Sequence, residues 1–471
     1  MTTPTPRDKF WFVLGRESLI AVAELRAVLG LKKFDYSPPI LKVDELSLRG
    51  GRFASADAAI PQQSLPNYGI ATVALGDLAM TDPKTLIKRL GGTIKIAKEM
   101  AENVSAEEME KIIVEELKTV IGKINFGISI YDSMSLRGSP PVGGRQSNPH
   151  ANTAKQWDRR ASLAMTNMAK NLGLKIKKIL KADGLSVRYV ENREAILSSV
   201  TVEKNGLTGR GREFLIQQNG KNFSLAKTEA VQPFEEFSAR DFGRPGRDDV
   251  SGMLPPKLAI IMINLAQAPK GGVLLDPFCG SGTIISEALL LGYKNIIGSD
   301  ITEKSVADTK LNIDWTRQRY GLETDKLKIF QSDIKNINRH VAKKSIDAIA
   351  TEPYLGAPLK GNESREVLLR QVGGLKTLYI EAFKQFSAIL KPHGAVVFII
   401  PCFKFKNDWI TIDCQKEIEA LGFKHVPFLE QYPHLLYARP NQRVGREIWR
   451  FEMPILSRFS SAENRGSAIS M

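Results

Sequence analysis

From residue 273 onward the chain repeats one pattern: a short apolar run, a helical stretch, then another apolar run. The runs are 273–277, 295–300, 327–332, 346–351 and 395–400, with helical patterns at 283–291, 303–319 and 374–390. Strands separated by helices must be joined by crossovers, and crossovers build a parallel sheet covered on both faces. The last two runs, 424–438 and 446–453, follow each other without a helix, which predicts an antiparallel hairpin closing one edge. The expected fold is therefore α/β and Rossmann-like, a mostly parallel sheet of seven strands. Ligands of such sheets bind beyond the carboxyl ends of the strands, so the residues at which each strand stops are the first candidates for chemistry.

Four of those ends are informative. The first, Val273-Leu-Leu-Asp276-Pro-Phe278-Cys279-Gly280-Ser-Gly282-Thr283, runs from a strand through a glycine turn into a helix. Gly280 and Gly282 let the backbone approach a ligand closely, and the helix start presents free N–H groups. A nicotinamide dinucleotide site would want a third glycine at 285, where this chain has Ile285, and no Gly-Lys-Ser/Thr phosphate loop occurs. What remains is a nucleoside cofactor without a phosphate and with a cationic centre, beside which Asp276 is useful; S-adenosylmethionine fits. The second end, Ile296-Ile-Gly-Ser-Asp300, places an acid to take both ribose hydroxyls, and the third, Ile329-Phe-Gln-Ser-Asp333, an acceptor for the adenine amino group. A lone strand-end Asp is more often a cap. Three in sequential strands, the first leading into a glycine turn, favour a cofactor pocket, and Phe278, Ile301 and Ile334 are counted with them as cofactor contacts. Cys279 is read as a small turn residue, since no basic partner argues for a thiolate.

The fourth end is Thr351-Glu352-Pro353-Tyr354-Leu355-Gly356. A glycine motif followed by a strand ending in acid, proline and aromatic resembles the class I methyltransferases that alkylate exocyclic amino groups of nucleobases. That nitrogen is a poor nucleophile because its lone pair is conjugated with the ring. The resemblance implies that Glu352 and the Pro353 carbonyl accept its N–H bonds while Tyr354 stacks the base. The family pattern is Asp, Asn or Ser, then Pro-Pro, then Tyr or Phe. Here Glu352 is one methylene longer, the second proline is missing and the aromatic ring comes one position early.

The resemblance extends further. Residues 252–266, Gly-Met-Leu-Pro-Pro-Lys-Leu-Ala-Ile-Ile-Met-Ile-Asn-Leu-Ala, look like the helix such enzymes place before the glycine motif. The order of a basic α+β region followed by the catalytic domain is similar to THUMP-domain tRNA methyltransferases, and within them to the guanosine-10 N2-methyltransferases. A THUMP-like RNA-binding region over 81–235 is what this implies.

Charge points to the same region independently. The chain carries 66 Lys and Arg against 51 Asp and Glu, a net +15. Residues 141–230 hold 16 basic and 7 acidic residues and so supply +9 of that excess, a footprint suited to a polyanion. Arg159, Arg160, Lys175, Lys177, Lys178 and Lys181 are the candidate RNA contacts.

Ahead of this region the pattern predicts a strand at 9–16 and a helix at 17–29, opening an α+β (ferredoxin-like) domain over 1–80. It also predicts a helix at 105–121 started by a Ser105-Ala-Glu-Glu capping box, a strand at 125–131, a Gly/Pro/Ser-rich loop at 137–153, a basic helix at 155–172, and strands at 185–190 and 196–204. Residues 236–250 read as a linker, 251–459 as the methyltransferase domain and 460–471 as a disordered tail. Three cysteines make no disulfide framework, and five scattered histidines without a Cys-x-x-Cys pair argue against a metal site. No apolar run is long enough to span a membrane and the N-terminus lacks a secretory signal pattern, so a cytoplasmic setting is expected.

The functional expectation is S-adenosylmethionine-dependent N2-methylation of guanosine in tRNA, with a small activating protein subunit as a further candidate partner. The alternatives are a non-catalytic RNA-binding protein with a vestigial methyltransferase fold and a DNA amino-methyltransferase.

Overall fold

The computed structural model describes residues 9–30, 35–37, 40–43, 70–74, 82–132, 150–247, 253–269, 271–323, 326–406, 408–430, 432–439 and 442–454. The chain divides into two compact units, Met1–Arg244 with Pro255–Asn264, and Pro245–Leu254 with Leu265–Met471.

In the first unit, nine strands share one sheet: β1 (Lys9–Leu14), β2 (Asp35–Ser37), β3 (Ile40–Val43), β4 (Ile70–Ala74), β5 (Thr93–Val104), β6 (Ile124–Asp132), β7 (Val187–Tyr189), β8 (Arg212–Asn219) and β9 (Asn222–Val231). Their order is β2-β3-β4-β1-β5-β9-β8-β6-β7. The regions read separately as 1–80 and 81–235 are thus joined edge to edge, β1 pairing antiparallel with β5 from Phe10 opposite Lys98 to Leu14 opposite Thr93. On its other edge β1 pairs antiparallel with β4, and the burial of Trp11, Phe12, Val13 and Leu14 shows that both of its faces are covered as well.

At the centre of this sheet lies a buried ion pair. Lys95 on β5 donates to Glu213 on β8 at 2.5 Å and to the Leu197 carbonyl at 2.7 Å. The hydroxyls of Ser129 and Thr228 donate to the same carboxylate at 2.6 and 2.7 Å, which gives the buried charge several partners.

The capping box forms as expected, with Ser105 and Glu108 exchanging hydrogen bonds at the start of the helix Ala106–Lys118. The basic stretch makes one uninterrupted helix, His150–Ala182, whose Ala169, Ile176 and Leu180 are buried; residues 137–149 of the expected loop lie outside the described residues. Two readings change. Residues 199–204, expected as strand, form the helix Ser199–Lys204, because the Ser198 side chain accepts the Thr201 N–H and caps it. Part of the expected linker is the helix Phe234–Phe242.

The helix expected ahead of the glycine motif is present at Pro256–Ala266 and groups, through Asn264, with the first unit. There the Asn264 side chain donates to Glu24 at 2.8 Å, and the Gly91 and Gly92 amides donate to the same buried carboxylate.

The second unit contains β10 (Val273–Asp276), β11 (Asn295–Asp300), β12 (Lys326–Gln331), β13 (Ile346–Thr351), β14 (Leu390–Phe405), β15 (Asp408–Ile410), β16 (Lys424–His425), β17 (Leu435–Tyr437) and β18 (Val444–Glu452). Seven follow the order β12-β11-β10-β13-β14-β18-β16, while β15 pairs with β14 and β17 with β18. The pairs among β10 to β14 are parallel, as the crossover pattern requires. The antiparallel element differs from a simple edge hairpin. β18 inserts between β14 and β16, antiparallel to both, so that β14 has a partner on each side along its long apolar run. The helix Arg365–Ile389 covers one face through Tyr379, Phe383 and Phe386, and the Phe383 ring meets Phe398 and Phe451 edge-on at 5.2 Å. The tail 460–471 lies outside the described residues.

Replacing Lys95 by Met strands Glu213 in the interior. It should cost about 3–5 kcal/mol of stability, read by urea unfolding, and adding Glu213→Leu should recover part of that loss.

Candidate functional site

Because β12, β11, β10 and β13 are adjacent and parallel, their carboxyl ends stand in one row. Asp276, Asp300 and Thr351 close β10, β11 and β13, and Asp333 follows β12 by two residues.

The glycine turn after β10 is built by backbone geometry that only glycine adopts cheaply. Gly280 and Gly282 have φ of +51° and +80°. The Gly282 N–H closes the turn on the Cys279 carbonyl at 2.7 Å, and the Cys279 N–H reaches the Ser299 carbonyl at 2.9 Å. From the helix Glu303–Tyr320, Thr309 donates to the Gly280 carbonyl and Asn312 to the Ser281 carbonyl, each at 2.7 Å. These contacts consume the turn's carbonyls on one side. A Cβ placed on Gly280 meets nothing within 4 Å, so the other side opens on space.

That space is bordered by the other predicted groups. The Gly280 N–H donates to Asp300 at 3.0 Å, and Thr302 donates through its amide and hydroxyl to the other carboxylate oxygen at 3.0 and 3.2 Å. Asp300 is thereby held at the strand end as an oriented acceptor. Ile301 next to it is 61% exposed, an apolar surface with no core to cover it. Phe278 is partly buried. Asp333 caps the short helix Ile334–Arg339 by accepting the Lys335 N–H at 2.9 Å, while Ile334 is buried in the hydrophobic core. Asp276, Gly280, Gly282, Asp300 and Ile301 thus lie at the neighbouring ends of β10 and β11; Asp333, like Asp300, accepts an N–H from two residues on, and Ile334 is packed in the core.

Asp276 is buried. Thr351 donates to its carboxylate at 2.6 Å and the Phe278 N–H at 3.3 Å. Burial pushes its pKa up to about 7, with the nearby charges of Asp300 and Glu352 adding to the rise. Burial also pushes the Cys279 thiol up, so it stays protonated and inert, in keeping with its reading as a turn residue.

On the far side of Thr351 lies the acid-proline-aromatic stretch. Pro353 is buried, and Tyr354 is 58% exposed although its carbonyl is held by the buried Tyr379 hydroxyl at 2.8 Å. Glu352 is mostly covered and accepts from Arg446 Nε at 2.5 Å. Burial works against the Arg446 charge, but the attraction of Glu352 and the hydrogen bond to it outweigh that and raise its pKa. Sequence reasoning missed Thr351, Tyr379 and Arg446 as functional side chains. Arg446 lies 94 residues from Glu352, and nothing local marks it.

The geometry suits a nucleoside with vicinal hydroxyls and a cationic centre. Asp300 is an oriented acceptor, Ile301 an apolar wall, the open side of Gly280 a cradle that a Cβ would fill, and Asp276 a buried carboxylate. Beyond Thr351, the row continues into a site with a carboxylate, a proline carbonyl and an exposed aromatic ring.

In the first unit, the basic candidates share the helix His150–Ala182. Lys178 and Lys181 are exposed and Lys177 is half-buried. Lys175, also exposed, pairs with Glu110 at 2.7 Å, which offsets part of its charge. The side chains of Arg159 and Arg160 lie outside the described residues. Among the described residues no cluster of His, Cys, Asp and Glu could hold a metal ion, and no helix is long and apolar enough to cross a membrane.

Residues 244–404 match the model of the UPF0020 family, an RMKL-like methyltransferase domain. The tRNA (guanine(10)-N2)-dimethyltransferase of Methanothermobacter thermautotrophicus is 36% identical over 151 residues, 32% of this chain and 41% of that protein. A probable tRNA (guanine(10)-N2)-dimethyltransferase of Methanothermococcus thermolithotrophicus is 33% identical over 145 residues, 30% of this chain and 78% of that protein. The chain thus matches about two fifths of the length of the first of these curated relatives. Among solved structures, TrmN from Thermus thermophilus is similar over 94% of this chain and 99% of its own, at 16% identity and a TM-score of 0.46.

The Asp276 carboxyl has a folded-state pKa near 7, above its ordinary 3.8, so the folded chain holds a proton that the unfolded chain releases earlier. Its contribution to stability is complete below about pH 3.8 and is lost as pH rises through about 7. Asp276→Asn should flatten that part of the pH dependence of thermal unfolding.

Proposed function

The chain belongs to the tRNA (guanine(10)-N2)-dimethyltransferase family, and from this we propose that it methylates the exocyclic N2 amino group of guanosine in tRNA, using S-adenosylmethionine. The observation that carries the reading is the row of four strand ends: the oriented Asp300 and the open glycine turn lie on one side of Thr351, and Glu352, Pro353 and Tyr354 on the other.

Asp276, Phe278, Gly280, Gly282, Asp300 and Ile301 would hold the cofactor. S-adenosylmethionine, when bound, supplies an electrophilic methyl group on a sulfonium centre. The chain's own residues prepare the nucleophile. The guanosine amine is weak because its lone pair is drawn into the ring. Glu352 and the Pro353 carbonyl accept its N–H bonds, return electron density to nitrogen and fix its direction. Tyr354 presents its ring for stacking, with the Tyr379 hydroxyl steadying the backbone that carries it. No covalent enzyme intermediate is needed.

The first unit is proposed as the RNA-binding, THUMP-like part, with Lys175, Lys177, Lys178 and Lys181 facing the phosphate backbone together with Arg159 and Arg160. The charge excess of residues 141–230 supports this. On this reading the chain works in the cytoplasm. A small activating subunit is not part of the proposal, since no observation favours one.

Purified protein incubated with labelled S-adenosylmethionine and small RNA should yield N2-methylated guanosine on nucleoside analysis; label in no guanosine would sink the reading. Glu352→Gln should lower kcat by about 10²–10³-fold while cofactor affinity stays close to native. Gly280→Val, which fills the cradle, should abolish cofactor binding. Replacing Lys177, Lys178 and Lys181 together by Gln should weaken RNA binding and reduce its dependence on salt; unchanged affinity would contradict the footprint.

A further inference from the structure

Glu352 is one of the positions at which this chain departs from the family pattern, being one methylene longer than Asp, and the structure shows what that methylene reaches. The first residue beyond β13 meets a guanidinium from β18, two strands away across β14. Arg446 stands opposite Pro401 of β14 and Tyr437 of β17, and its Nε donates to Glu352 Oε1 at 2.5 Å. The two side chains are 12% and 13% exposed, so water screens the pair weakly.

We infer that Arg446 is a positioning residue for the transfer: by holding Glu352 Oε1 it aims the second carboxylate oxygen at the amine. The inference rests on the guanosine-methylation reading above and deepens it. A glutamate turns about three side-chain bonds, and an unrestrained one would have to be ordered anew by each substrate. Held through one oxygen by a planar guanidinium, it presents the other in a fixed direction before substrate arrives. An aspartate at 352 would draw the carboxylate back toward β13 and away from Arg446. Glu352 and Arg446 therefore form a matched pair, and the longer acid is usable because a partner on β18 removes its freedom.

Two measurements test this. In methyl transfer to tRNA, Arg446→Gln should lower kcat by about 10²-fold with the KM for RNA and the cofactor affinity nearly unchanged. Arg446→Lys should restore part of the rate, and Arg446→Gln combined with Glu352→Gln should be no slower than Glu352→Gln alone. Without cofactor or RNA, each single Gln variant should lower the unfolding midpoint and the double variant should regain part of the loss, as expected for a coupled, poorly screened pair. Additive losses in kcat, independent effects on the midpoint, or a native kcat in Arg446→Gln would each overturn the assignment to Arg446 while leaving guanosine methylation intact. A native chain that methylates no guanosine would overturn both.

Discussion

The hydrogen bond from Thr351 to Asp276, 2.6 Å long and buried, joins the two halves of the candidate site. It links the ends of β13 and β10, neighbouring parallel strands of the row. On one side the glycine turn and Asp300 depend on where β10 stops; on the other, Glu352, Pro353 and Tyr354 depend on where β13 stops. A buried carboxylate is costly without donors, and the Thr351 hydroxyl is the closest donor this one has. The burial that raises the Asp276 pKa favours its neutral form, and a cation brought beside it would shift it back toward the carboxylate.

Electrostatics divide along the chain in a way that fits two tasks. The first unit shows lysines on the outward side of a long helix whose other side is anchored by Ile176 and Leu180. Two of these charges have local acidic partners, Lys175 with Glu110 and Lys170 with Glu191, so the positive charge is spread over a surface rather than vested in one residue. In the second unit the charges nearest the candidate site lie in covered places, Asp276 accepting from Thr351 and Glu352 from Arg446.

Much of the fold was legible in the sequence because crossovers and apolar periodicity are local properties. The strand ends at Asp276, Asp300 and Thr351 fell where the apolar runs stopped, and the glycine turn where two glycines met a helix start. Residues 199–204 were misread because the apolar alternation there resembles a strand, and the Ser198 cap that makes it a helix is one hydrogen bond. That one sheet runs across residue 80 was not legible for another reason. Sheets join segments through backbone hydrogen bonds, which leave no residue-type signature, so the pairing of β1 with β5 is invisible in composition.

By itself the sequence determined which residues could do chemistry: the acids and glycines at strand ends, the acid-proline-aromatic stretch and the basic helix. Tertiary structure decided which of them act together. Asp300 and Asp333 each accept an N–H from two residues on, Ile301 is exposed where Ile334 is packed in the core, and Tyr379 and Arg446 reach the candidate site from positions that no motif marked. The physical reason is distance. Periodicity and turn chemistry act over a few residues, whereas the bond between Glu352 and Arg446 spans 94 residues and exists only because β14 and β18 pair beside β13.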